Sequence, residues 1–177
     1  MSRSDGCLLS IRRTGILGAL LAMALLLSAC GFALRGSTPQ SALPFQNVYL
    51  AFPANSPLGT ELRRYLRADP RLKLVSDQAL AEASIEPLTE TRNKSVLSLN
   101  TQGRVREFSL FYRFSFQVKD NANKLILPPT EIVLRRDISF NETQAIAKEK
   151  EEEMLYRDMQ SDLVQQILRR LAAIKPL

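Results

Sequence analysis

The chain has 177 residues, with 24 Lys and Arg against 18 Asp and Glu, and no His. The missing imidazole excludes Ser-His-Asp and Cys-His catalysis, His-based metal sites and histidine pH switches. The only two Cys are Cys7 and Cys30.

Arg3, Arg12 and Arg13 form a basic head, and Gly15 to Leu27 is then an uncharged, mostly apolar run of thirteen residues. That is the length of a signal-peptide core, and it is short for a bilayer whose hydrocarbon is ~30 Å thick. The run ends in Leu27-Ser28-Ala29-Cys30, which resembles a bacterial lipobox. The resemblance implies that the Cys30 thiol receives a diacylglyceryl group, that the chain is cut before Cys30, and that the new amine is acylated. At about 0.8 kcal/mol per buried methylene, several acyl chains give stable anchoring. The competing reading is a soluble secreted protein whose Cys merely follows its signal.

Residues 1–29 are thus read as a lipoprotein signal peptide, 30–45 as the acylated Cys and its tether, and 46–177 as the globular domain. The mature chain would have 148 residues, enough to bury about 68–70% of its unfolded surface without a disulfide or metal. It would have no free thiol, and its only covalent addition would be the lipid on Cys30, with no cofactor. Losing three Arg and one Asp takes the net charge from +6 to +4, because 21 basic residues then face 17 acidic ones. Such a balance is consistent with an anionic partner such as lipid headgroups. The four remaining Gly, at 31, 36, 59 and 103, are spaced for neither a P-loop nor a dinucleotide fingerprint, and no G-x-S-x-G elbow occurs. Carboxylates are left for acid-base chemistry, yet Glu149 and Glu151 to Glu153 fall in one charged run that reads as a solvated helix face. The expectation is a protein that is not an enzyme and does not bind nucleic acid.

In chain order, Gly31 to Phe45 carries the Pro, Gly and Ser of a tether, which reaches at most roughly 50 Å when extended. Asn47 to Phe52 predicts a strand closed by Pro53. Ser56-Pro57 caps and opens a helix from Leu58 to about Arg67, with Leu58, Leu62, Tyr65 and Leu66 on one stripe and Asp69-Pro70 as its stop. Leu72 to Val75 predicts a second strand, parallel to the first through a right-handed crossover. Ser84 to Leu99 reads as extended, with Pro87 at an edge or bulge, and Gln102-Gly103 as a hairpin turn. In Val105 to Lys119, Phe108, Leu110, Tyr112, Phe114, Phe116 and Val118 alternate with polar residues, interrupted only by Phe111. Asp120 to Asn123 turns the chain, Leu125 to Leu127 begins a return, Pro128-Pro129 breaks it, and Glu131 to Phe140 resumes. A final helix spans about Glu142 to Ala173, its stripe being Leu155, Met159, Leu163, Ile167, Leu171 and Ile174. These elements predict an α+β two-layer sandwich: a mixed, mostly antiparallel sheet of about four to five strands with two helices packed on it.

Several stretches, read with those elements, resemble the LptE family of lipopolysaccharide-assembly outer-membrane lipoproteins. They are Cys30-Gly31-Phe32-Ala33-Leu34-Arg35, Ser56-Pro57-Leu58 opening a basic helix, and Arg106-Glu107-Phe108 entering the aromatic strand. Ala145-Ile146-Ala147-Lys148 to Glu151 opens the last helix, and Arg169-Arg170-Leu171 lies near its end. The resemblance implies a plug and assembly partner for the LptD outer-membrane β-barrel, anchored by its lipid on the periplasmic side and sitting within that barrel. The pair delivers lipopolysaccharide to the outer leaflet. The family's lipopolysaccharide contacts are basic residues near the turn before the long strand and at the start of the last helix. Lys148 matches the second place. Thr101-Gln102-Gly103 occupies the turn itself, and Arg104 and Arg106 are the nearest basic residues to the first place.

Two alternatives remain. A free-standing envelope lipoprotein holding a small amphipathic ligand would need an apolar cavity of ~300–1,000 Å³. An envelope hydrolase would need a carboxylate pair placed in a cleft. A plug needs only packed layers and polar or mixed faces turned to its partner.

Overall fold

The computed structural model describes residues 43–175. The signal segment, Cys30 and the tether up to residue 42 lie outside the described residues. In chain order the elements are Asn47–Leu50 (β1), Pro57–Ala68 (α1), Lys73–Leu74 (β2), Ala83–Leu99 (β3), Val105–Lys119 (β4), Leu125–Ser139 (β5) and Ala145–Ala172 (α2). The strands form one five-stranded sheet in the order β2-β1-β3-β4-β5. β1 is parallel to both β2 and β3, while β3, β4 and β5 form an antiparallel meander. The α+β two-layer sandwich expected from the sequence is therefore the fold.

The core lies between one face of the sheet and the two helices. Leu110, Tyr112, Phe114, Phe116 and Val118 on β4 are fully buried, as are Leu58 and Leu62 of α1 and Met159, Leu163, Val164, Ile167 and Leu171 of α2. Leu43 and Phe45 already pack on this core ahead of β1. Tyr65 does not join the stripe of α1, being 38% exposed. On a 3.6-residue period the buried arc runs from Leu58 through Leu62 and Leu66 to Gly59, and position 65 falls just outside it. Gly59 takes the place at the other end of the arc, where Phe52 lies against the helix backbone.

Both proline expectations bear on the sheet. β1 pairs with β3 only from Ala83 to Ile85, so Pro87 lies past the end of β1, at a register shift against β4. The missing N–H there costs no ladder bond on the open side. Pro128-Pro129, by contrast, does not break the return strand. β5 is continuous, and its two prolines sit in a bulge where Leu127 faces Val118 and Thr130 faces Phe116. β5 is the last strand of the sheet, where an edge bulge absorbs the lost donors.

The two hairpin turns use one chemistry. Asn100 Oδ1 accepts from the backbone N–H of Gln102 and Arg104 at 3.0 and 2.9 Å, and Gly103 takes a φ of 74°. Asp120 Oδ1 accepts from Ala122 and Lys124 at 2.9 and 2.8 Å, and Asn123 takes a φ of 62°. An Asx acceptor at the first position and Gly or Asn in the left-handed region are what such turns require.

Candidate functional site

β5 ends at Ser139, a 3-10 turn spans Glu142–Gln144, and α2 then runs back along the sheet. This reversal brings the start of α2 to the β3–β4 turn. Phe140 N–H donates to Arg106 C=O at 2.7 Å, and Arg104 Nη1 donates to Glu142 Oε2 at 3.3 Å. Lys148, one turn into α2, donates from Nζ to Ser139 Oγ at 3.0 Å and to Glu151 Oε2 at 2.8 Å. The three basic residues expected from the sequence thus lie around one corner of the molecule.

They do not form a bare basic patch. Glu142 pairs with Arg104 and Glu151 with Lys148, whose side chain is only 18% exposed. Lys148 is therefore held in place, with one of its three ammonium donors left over. Arg104 is looser, its side chain 67% exposed. Arg106 is also exposed and, by strand alternation, shares the face of Phe108. Gln144 makes no side-chain cap, and the first turn of α2 has no acidic residue, so this helix start offers backbone donors and partial positive charge to an anion.

Lys94 completes the corner and was not singled out from the sequence. It faces Leu110 across the β3–β4 ladder, lies 4.4 Å over the Phe108 ring, and pairs with Glu152 at 2.5 Å. Lys94, Phe108, Ile138, Ser139, Phe140, Lys148 and their neighbours line a cavity of 220 Å³. Phe140 packs edge-on against Phe108 with centroids 5.3 Å apart. The period-2 run Glu90, Arg92, Lys94 places all three on the helix-covered face, but only the register against β4 reveals it.

Those inward charges carry a polar chain across four elements. Tyr112 Oη donates to Glu90 Oε1 at 2.6 Å and accepts from Arg92 at 3.0 Å, and Arg92 also donates to Gln160 at 3.1 Å. Gln160 and Ser161 in turn each donate to Glu61 of α1 at 2.7 Å. Burial, reinforced by the acceptor Glu90, pushes the Tyr112 hydroxyl far above the ordinary phenol range.

Among the described residues no helix covers the opposite face of the sheet. There Phe111 lies between the guanidiniums of Arg113 and Arg135, at 5.6 and 5.8 Å from its ring centroid. Asp137 accepts from Arg135 and Ser109 at 3.0 and 2.7 Å, which holds its carboxyl below the usual range. With Val133 exposed beside them, this face is mixed rather than apolar. Among the described residues no group of three or more Asp, Glu, Cys or His is placed to hold a metal ion.

Fold and corner together define a two-layer α+β sandwich whose long meander is helix-covered on one face and presents a mixed surface on the other. The LptE family model, described as lipopolysaccharide-assembly, matches residues 45–171, and the chain belongs to this family. The LPS-assembly lipoprotein LptE of Pectobacterium atrosepticum is 28% identical over 159 residues, covering 87% of this chain and 83% of that one. The NMR structure of lipoprotein B from Nitrosomonas europaea is 44% identical, with a TM-score of 0.69 over 81% of this chain and 91% of that one. The crystal structure of the rare lipoprotein B of Shewanella oneidensis is 26% identical, with a TM-score of 0.64 over 72% and 95%.

Proposed function

We propose that this chain is an outer-membrane lipoprotein, acylated at Cys30, that plugs an LptD-type β-barrel and helps it assemble. It binds lipopolysaccharide on the way to the outer leaflet and has no catalytic role. The observation that carries this reading is the family match over residues 45–171, with relatives named as LPS-assembly lipoproteins. The filled layer between sheet and helices and the mixed open face suit a plug. A free-standing carrier would have to hold its ligand outside that layer.

Lys148, Arg104 and Arg106 are the lipopolysaccharide contacts in this reading, joined by Lys94. Lipid A phosphates would compete with Glu151 for the held Lys148 and with Glu142 for the looser Arg104, through charge-assisted hydrogen bonds. Phe108, Phe140 and the exposed Ile146 add apolar surface beside them. The test is lipopolysaccharide binding by Lys148→Gln, with Lys148→Glu as the stronger variant and Lys73→Glu as a distant charge control. Lys148→Gln removes the charge without setting a carboxylate against Glu151. Both Lys148 variants should weaken binding while Lys73→Glu leaves it unchanged, and added salt should weaken the wild type. Equal losses at positions 148 and 73 would reduce the effect to bulk charge and remove the site.

A further inference from the structure

The opposite end of the sheet carries a second, larger groove. Leu125, Ile126 and Leu127 at the start of β5 and Ala173 and Ile174 at the end of α2 make an apolar floor in a volume of 670 Å³. Lys124, Arg170 and Lys175 stand on its rim. Arg170 is fixed there by donating to Glu131 C=O at 2.8 Å. Asp120 also reaches the rim, but its carboxylate is engaged by the N–H groups of its own turn. The carbonyl end of α2 would repel an anion, so the three cations carry the attraction.

This is also the end at which the chain enters the fold. Val48 of β1 is level with Ala83, Ser84 with Lys119, and Lys119 with Leu125. The start of β1 therefore lies three strand spacings, or about 14 Å, from the start of β5. Gln78 reaches across this end to Asn123 in the β4–β5 turn at 3.3 Å. Twelve residues separate Cys30 from Leu43, a reach of at most about 45 Å over the thirteen steps between them.

An apolar floor, a cationic rim and a chain entry tethered to lipid point to one occupant. We propose that this groove seats an acyl chain of an anionic glycerophospholipid from the leaflet holding the anchor, with Lys124, Arg170 and Lys175 on its phosphate. The proposal rests on the anchor reading above and not on the lipopolysaccharide corner, which lies at the other end of α2.

The test uses the purified full chain in nanodiscs of phosphatidylcholine doped with phosphatidylglycerol bearing an acyl-chain diazirine. Adducts are mapped by peptide mass spectrometry. They should fall on Leu125 to Leu127 and Ala173 to Ile174 and be scarce around Ile146. In Lys124→Glu/Lys175→Glu they should drop about fivefold per reversed charge, with unchanged thermal unfolding, since both lysines are exposed. Equal labelling by a diazirine phosphatidylcholine, equal labelling at Ile146, or labelling by a lipid A probe alone would overturn the proposal. Intact mass reports acylation of Cys30 separately. An acylated chain without groove adducts overturns the groove alone, and an unacylated chain that still labels there sustains the groove and overturns the anchor.

Discussion

Arg104 and Glu142 meet at 3.3 Å, tying the β3–β4 turn to the 3-10 turn that leads into the last helix. Both side chains are largely exposed, at 67% and 63%, so the pair contributes at most about 1 kcal/mol to folding. Its greater effect is on what Arg104 is free to bind. Glu142→Gln should tighten lipopolysaccharide binding by up to about fivefold while barely moving the unfolding midpoint. Binding that stays the same or weakens would remove Arg104 from the site.

Gly59 and Phe52 set the spacing between α1 and the segment after β1. A Cβ at position 59 would stand 2.7 Å from Phe52 Cβ and 2.9 Å from its ring. Phe52 in turn stacks on Phe114 at 6.0 Å, so it has little room to withdraw. Gly59→Ala gains roughly 1 kcal/mol of helix propensity. Overpacking at about 1–3 kcal/mol should exceed that gain and lower the denaturant midpoint. A neutral or stabilised variant would mean that Phe52 shifts freely.

Tyr112 supplies a pH dependence on the alkaline side. Its hydroxyl loses its proton far less readily in the folded chain than in the unfolded one, because burial and then Glu90 oppose the phenolate. The folded state therefore holds more protons above pH about 10, the ordinary phenol value, and this contribution to stability is lost as pH rises from there. Tyr112→Phe should cost about 1–2 kcal/mol at neutral pH by removing the hydroxyl's hydrogen bonds to Glu90 and Arg92, which stay solvated and paired with each other. It should also flatten the alkaline loss of stability relative to wild type. Parallel stability curves for the two proteins above pH 10 would contradict this role for the hydroxyl.

Local chemistry was legible wherever the signal is local. Ser56-Pro57 started α1, Gln102-Gly103 and Asp120 to Asn123 marked the two hairpin turns, and the alternation of Phe108 to Val118 marked the buried face of β4. Register was not legible, and most of the corner depends on it. Lys94 reaches Phe108 and Glu152 only because β3 pairs with β4 as it does, and Glu90 and Arg92 turn inward for the same reason. Arg104 and Lys148 were legible as basic positions, but their partners Glu142 and Glu151 were not. The charged run around Glu151 reads as plain solvated surface until the helix is laid against Ser139. The continuity of β5 was missed because two prolines break most strands, and only its edge position makes them tolerable. The groove at the far end joins residues about fifty positions apart in sequence, which no linear pattern marks.

Co-expression with the LptD-type barrel tests the plug reading most directly, with the Asn100–Arg104 turn, at the end of the sheet away from the chain entry, as the proteolysis reporter. The account predicts a one-to-one complex that survives detergent, with this turn cut much more slowly in the complex than in the domain alone, because a protease cannot enter the lumen. Failure to co-purify, or equal cleavage of this turn with and without the barrel, would contradict it.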